Sequence, residues 1–346
     1  MAMQLNRTSP SMSDSGFFAI SRPAFHQVCT LGVNEACLYL VYACGTGKSN
    51  DKTSWSNHAL TRYTQITRSR AKKAAASLIS EKLVKQIKGG KHPRFQLMIK
   101  ADDERVWLPK EFVRGASKER PPIERLRQTG DVMMFRLIID FYAKANIADE
   151  GGVPRDIVSG LYESERIAEQ GEFTVYGFNQ VNQTCFCNHG VIEPHVNDYL
   201  GDRFKPFWNR LKMLRELGLI YPIPTLFDGE DGEVLFPLVN PFTVEEIIDL
   251  TLPVRERWLP ELYDEPLSTY DYVLAVPQHI QNVWLANIYV LRYRQKTALT
   301  AAAFAQTMDR IAQWSEIYAN KQLVISREHQ GCIKGTSKVT QGGIKG

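Results

Sequence analysis

The sequence predicts a mostly α chain with small β-hairpins, an α+β arrangement, on three observations. Apolar residues recur at helical spacing through Val132–Ala145, Phe204–Leu217, Gln278–Arg294 and Thr300–Lys321. Ser56 and Thr67 are well placed to cap two short helices separated by a turn. Paired alternating runs flank Gly-containing turns within Val84–Ile99 and Leu219–Phe236, the pattern of hairpins.

Taken in order, residues 1–16 are rich in Ser and Met without periodicity and read as a flexible lead-in. Phe17–Tyr42 carries the first core helix, with Asn34 as its cap, Ala36, Leu38, Tyr39, Leu40 and Val41 apolar, and a stop near Gly45. Ser56 then caps a helix Asn57–Tyr63, Thr64-Gln65-Ile66 makes the turn, and Thr67 caps a second helix reaching about residue 82. With Ala71 at the centre of the buried side, 100° per residue brings Ala74, Ala75 and Leu78 beside it, a narrow stripe suited to close packing. The opposite arc holds Ser69, Arg70, Lys72, Lys73, Ala76, Ser77 and Ser80, with Arg68 in the first turn and no acid. Beyond Glu81-Lys82-Leu83, two alternating segments, Val84–Lys88 and Phe95–Ile99, surround Gly89-Gly90-Lys91-His92-Pro93-Arg94 and form a basic hairpin. Val106–Pro109 is a short extended piece. The Pro-containing stretch 117–130 reads as a linker closing a first domain, 17–116.

The second domain is expected over 131–240. Its helix Val132–Ala145 is broken by Gly151-Gly152-Val153-Pro154, followed by a short helix Arg155–Tyr162 and a long irregular insert. Helix Phe204–Leu217 places Phe207, Trp208, Leu211, Leu214 and Leu217 at core spacing, and a hairpin then turns at Asp228–Gly232. This order repeats that of the first unit, although an unrelated α+β domain fits the same pattern. An acidic tip repels phosphate, so DNA contacts from this copy would rest on Arg203, Lys205, Arg210, Lys212 and Arg215. Residues 241–327 read as helical, opening with Thr243 as a cap and Glu246 three residues on. Their stripes, including Trp284, Ile288, Phe304, Met308, Ile311 and Trp314, suit a core or a dimer seam, and 328–346 reads as a disordered tail.

Composition narrows the function. The 42 Lys and Arg nearly balance 38 Asp and Glu, a net charge of +4, yet the charge is segregated. Between Arg62 and Arg94 ten cations face a single acid, Glu81, whereas Asp228–Glu233 and Glu256–Asp271 are acidic. Segregation of this kind fits a localised polyanion site. No run reaches the length of a membrane span and no signal-type N-terminus is evident, so a cytoplasmic protein without membrane contact is expected. Six scattered cysteines give no disulfide framework.

Candidate chemistries are weak by comparison. Gly45-Thr46-Gly47-Lys48-Ser49 resembles the end of a phosphate-binding loop, but Tyr42 stands where the first glycine is required. Cys185, Cys187, His189 and His195 could ligate zinc, but the C-x-C spacing is tighter than a zinc knuckle and His195 follows a proline, so a loop with buried thiols fits better. No nucleophile motif or clustered metal-binding acids appear, and neither a catalytic residue nor a cofactor is expected.

The motifs Ser-Asn-His-Ala-Leu-Thr-Arg-Tyr, Thr-Arg-Ser-Arg-Ala-Lys-Lys-Ala and Ile-Lys-Gly-Gly-Lys-His-Pro-Arg together resemble a winged helix-turn-helix, clearest over Asn34–Lys100. With Val132–Leu238 read as a second copy, the arrangement resembles the tandem winged-helix replication initiators of plasmids and phages. That resemblance implies tandem winged-helix domains followed by a helical C-terminal region, and a sequence-specific duplex DNA-binding protein acting as replication initiator or transcriptional regulator. The implied DNA contacts are Arg62, Arg68, Ser69, Arg70, Lys72 and Lys73 on the helices, and Lys88, Lys91, His92 and Arg94 on the wing. A homodimer and a host or replisome protein are further expected partners. The alternative is a module or inhibitor that docks on a host protein or nucleoprotein complex.

Overall fold

The computed structural model describes residues 16–47, 50–90, 92–116, 119–170, 172–187, 189–238 and 270–313. The flexible lead-in (except Gly16), the cap at Thr243, Trp314 and the tail, with Cys332, lie outside the described residues, as does most of the acidic stretch ending at Asp271.

The expected first core helix is three elements. Strand β1 (Phe17–Ser21) ends at Ser21, whose hydroxyl accepts from the Ala24 amide at 3.1 Å and caps α1 (Arg22–Leu31). Gly32, at φ 138° and ψ 178°, is in a conformation that glycine alone adopts cheaply, and it separates α1 from α2 (Val33–Cys44). Asn34 therefore lies inside α2 and does not cap it. From Ala36 to Cys44 α2 is buried on every side, which makes it the central helix of the core.

After α2 come β2 (Lys52–Thr53), α3 (Asn57–Thr64) and α4 (Arg68–Ser80), then β3 (Val84–Lys88) and β4 (Arg94–Leu97). These strands form an antiparallel sheet in the order β2-β4-β3. Strand β5 (Arg105–Pro109) returns to pair with β1, and the short α5 (Glu111–Arg114) succeeds it. Within the stretch read as a linker, Pro122–Thr129 forms α6, with Ile123 and Leu126 excluded from solvent. Helix α7 (Val132–Lys144) packs against α1, and its buried Asp140 ties the two together. Asp140 Oδ1 accepts from Arg22 Nε at 2.6 Å and His26 Nε2 at 2.7 Å.

The expectation of a mostly α fold, with tandem winged-helix domains and a helical C-terminal region, is corrected by the chain beyond α7. Two long strands, β6 (Val158–Gln170) and β7 (Phe173–Cys185), occupy the expected short helix and irregular insert. Helix α8 (Lys205–Glu216) leads into β8 (Ile220–Asp228) and β9 (Val234–Pro237); later come β10 (Tyr272–Pro277) and β11 (Val283–Leu291). Together these strands make a curled six-stranded antiparallel sheet, β10-β7-β6-β11-β8-β9, so the fold is α+β and dominated by that sheet. The hairpin around Asp228 is real but belongs to this sheet, and the first unit's order is not repeated. Residues 278–294, expected as helix, contain β11 instead. Its residues Leu285–Leu291 are buried on both faces, so they present an apolar run broken only by the buried Asn287 instead of an alternation. Residues 298–313 are helical as expected.

One apolar cluster runs from Phe18 through α2, α4, α6, α7 and α8 to Tyr293, while a second, around Phe178, Phe227, Leu274 and Leu285, fills the curl of the sheet. The end of β11 is bonded into the helical core. Tyr142 Oη donates to the Tyr293 carbonyl at 2.5 Å, and Arg125 Nη2 donates to Tyr293 Oη at 2.7 Å.

Candidate nucleic-acid interface

Local sequence sets the positions of α3 and α4. The Ser56 hydroxyl accepts from the His58 amide at 3.3 Å and the Thr67 hydroxyl from the Arg70 amide at 3.5 Å, so each helix starts at its expected cap. The turn is closed by Gln65 in the left-handed region at φ 57°. Gln65 Nε2 donates to Glu124 Oε1 at 2.9 Å, and Glu124 is buried on α6. This contact pins the turn to the core, and no sequence pattern signals it. Buried Ala71, Ala74, Ala75 and Leu78 seat α4 on α2 and α3; small side chains let the helices approach closely.

The opposite arc of α4 is open to solvent. Arg68, Ser69, Arg70, Lys72 and Lys73 are exposed, as are Arg62 on α3 and Lys88, His92 and Arg94 on the β3–β4 hairpin; Lys91 lies outside the described residues. Among the described residues none of these cations forms an ion pair; Arg62 lies 5.5 Å from the ring of Tyr63, which stacks on Trp55. Several cations elsewhere are paired. Arg22, Arg203 and Arg210 lie against Asp140, Asp198 and Asp131 at 2.6, 2.6 and 2.7 Å. The α4 face thus carries positive charge that no described acid neutralises.

Between α4 and the hairpin runs an open groove of about 410 Å³, with His58, Lys72, Ala76, Ile79, Gln86 and Pro93 among its walls. His58, at the start of α3, and Gln86 join Lys72 there, which sequence spacing alone does not reveal. The surface combines a helix about one major groove wide with a flanking cationic hairpin, geometry that suits phosphate neutralisation on both sides of an inserted helix.

The other candidate sites separate. Gly45 ends α2, so the Gly-Thr-Gly segment comes after a helix and precedes the short β2, the reverse of a strand-to-helix phosphate loop. A Cβ at Gly45 would meet Trp55 at 2.3 Å and Thr53 at 2.6 Å, so this glycine is explained by packing. Cys185 ends β7, Cys187 lies just beyond it, and His189 pairs with Asp156 at 2.9 Å. Burial pushes the Cys185 thiol up to about 12, unfavourable for a thiolate ligand. His195 is 1% exposed, and neither ring nitrogen has a hydrogen-bond partner among the described residues. Burial, then Arg210, lowers its pKa to about 3 and keeps the ring neutral. Among the described residues no group of three or more His, Cys, Asp or Glu converges as a metal-binding set. No described helix is long and apolar enough to cross a membrane.

The acidic hairpin is locked onto the sheet. Arg155 lies 4.1 Å from the Phe227 ring and donates from Nη2 to the Gly232 carbonyl at 2.9 Å. Of the cations expected to carry any DNA contacts of this unit, Arg203 and Arg210 are held by Asp198 and Asp131, and Lys212 Nζ is 3.9 Å from Glu216; Lys205 and Arg215 have no ion pair among the described residues. No family model, curated protein or solved structure matches the chain.

Proposed function

We propose that this chain is a sequence-specific duplex DNA-binding protein that lays α4 in the major groove and its β3–β4 hairpin along the adjacent backbone, in the manner of a winged helix-turn-helix. The observation that carries this reading is the exposed, acid-free arc of α4 whose cations have no described ion-pair partner, continuous with a cationic hairpin. Lys72 and Lys73 serve as phosphate contacts, and Ser69 and Arg70, near the helix start, reach base edges. Site recognition of this kind serves replication initiation or transcriptional regulation, as in a phage or mobile element; the fold does not choose between them. No catalytic role is assigned to any residue.

The test is fluorescence anisotropy on random and selected duplexes across a salt series. Lys72→Ala/Lys73→Ala weakens binding to every sequence and flattens the log–log salt slope by roughly 2, since each lost phosphate contact removes about 0.9. Ser69→Ala and Arg70→Ala instead alter preference between sequences. No duplex binding at low salt, or unchanged affinity and sequence preference in the double and both single variants, refutes the proposal and turns attention to a protein partner.

A further inference from the structure

A second surface, built from different residues, has the chemistry of a nucleic-acid site. On α8, Lys205, Trp208, Lys212 and Arg215 succeed one another at intervals of three, four and three residues, which confines them to one side of the helix. The three cations are exposed and Trp208 is half-buried. Its ring packs edge-on against buried Phe207, centroids 4.8 Å apart, so it is held in place. Trp208 lines a groove of about 410 Å³ together with Gln180, Val181, Asn182 and Gln183 of β7. Val181 is 61% exposed, an apolar side chain left in water beside the indole.

We infer that this groove binds single-stranded nucleic acid, with a base stacked on Trp208, base edges met by the β7 amides, and the backbone met by Lys205 and Arg215. Each component answers one part of a nucleotide. An indole face stacks on any base, and side-chain amides both donate and accept hydrogen bonds. Lys205 and Arg215 have no described acid against them, whereas Lys212 is partly neutralised by Glu216 at 3.9 Å. A duplex keeps its base faces inside the stack and cannot use the indole, so the occupant is an unpaired strand. An acidic protein would use the cations but not the plate and amides together.

The experiment uses the intact chain and a fluorescein-labelled oligothymidylate of about 20 nucleotides, long enough to span the ~4–16-nucleotide footprint of single-strand binding folds. Trp208→Ala is expected to lose roughly fivefold to a hundredfold in affinity, the factor one stacked base is worth, while Trp208→Phe keeps most of it. Gln180→Ala/Gln183→Ala, at the surface and without consequence for folding, also weakens binding. Lys205→Ala/Arg215→Ala flattens the salt slope. Affinity for duplex through α4 stays unchanged in all of these, and Lys72→Ala/Lys73→Ala leaves oligothymidylate binding unchanged, so the two sites fail separately. Absence of wild-type binding at low salt, or binding as tight as wild type by the Trp208→Ala and Gln180→Ala/Gln183→Ala variants, overturns the inference. So does displacement by heparin or duplex as effective as by unlabelled oligothymidylate, which would reduce the surface to mere positive charge.

Discussion

Replacing Asp140 by Asn keeps the volume of a buried side chain and removes its charge. The carboxylate is fully buried and accepts two short hydrogen bonds, from Arg22 at 2.6 Å and His26 at 2.7 Å, with Arg136 Nε at 3.9 Å. The Arg22 side chain is itself only 10% exposed, so the substitution leaves a guanidinium in the core with Glu104 as its remaining acid. Hydrogen bonds to charged groups contribute ~1.5–3 kcal/mol each, and breaking a buried pair from one side costs ~3–5 kcal/mol. The expected loss for Asp140→Asn is therefore about 3–5 kcal/mol, a large part of the ~5–15 kcal/mol that stabilises an ordinary domain. Urea unfolding followed by far-ultraviolet circular dichroism at neutral pH measures it. A double-mutant cycle with Arg22→Met and Asp140→Leu sharpens the result. Because isosteric apolar replacement of a whole buried pair is often nearly neutral, the double variant should lose less than the two singles added, by more than about 1 kcal/mol. A loss below about 1 kcal/mol for Asp140→Asn, or strict additivity in the cycle, refutes the claim that this pair joins α1 to α7.

His195 makes stability depend on pH. Its pKa is about 3 in the folded chain against about 6.5 unfolded, so below neutrality the unfolded chain takes up a proton that the folded one refuses. Stability is complete above pH ~6.5 and falls as pH drops toward 3, by about 2 kcal/mol at pH 5, a decline that His195→Phe should shrink in paired melts at pH 7.5 and 5. Gly45→Ala forces a methyl into Trp55 and Thr53 and should cost ~1–3 kcal/mol by chemical denaturation; a neutral outcome would show that Trp55 moves freely. Cys29 and Cys37 are buried with their thiols pushed up by desolvation, so mass-spectrometric mapping after brief alkylation should find them unmodified in the native protein and modified in urea.

The candidate interface was legible because its signals are local. Ser56 and Thr67 cap what they were expected to cap, and the stripe Ala71, Ala74, Ala75 and Leu78 is the buried side of α4. Both features depend on neighbours within one or two helical turns. The sheet left no such trace. Strand β7 pairs with β10 nearly a hundred residues later, and β6 meets β11 only at Gly160–Asn287 and Leu161–Ala286, pairings set by the tertiary fold. Burial on both faces gave β11 the apolar residues Leu285, Ala286, Ile288, Tyr289, Val290 and Leu291 around a single buried Asn287, and their β-branched and aromatic content was the available hint against a helix. The Trp208 groove was hidden for a further reason. Trp208 does sit at core spacing on α8, and only the course of β7 shows that it lines a groove with Gln180–Gln183.

The bonds from Arg125 and Tyr142 to Tyr293 bear on biosynthesis. Arg125 and Tyr293 are 168 residues apart. At ~5–20 residues per second, a ribosome that has made α6 works for roughly another 8–34 s before it supplies the tyrosine that completes this part of the core. During that interval α6 and α7 wait with a side uncovered, exposed to chaperones and proteases. Fragments that contain α6 and α7 but end before Tyr293 would keep that exposure permanently, so an isolated basic unit cut near residue 145 is expected to express poorly even though every element of its proposed DNA-facing side is present.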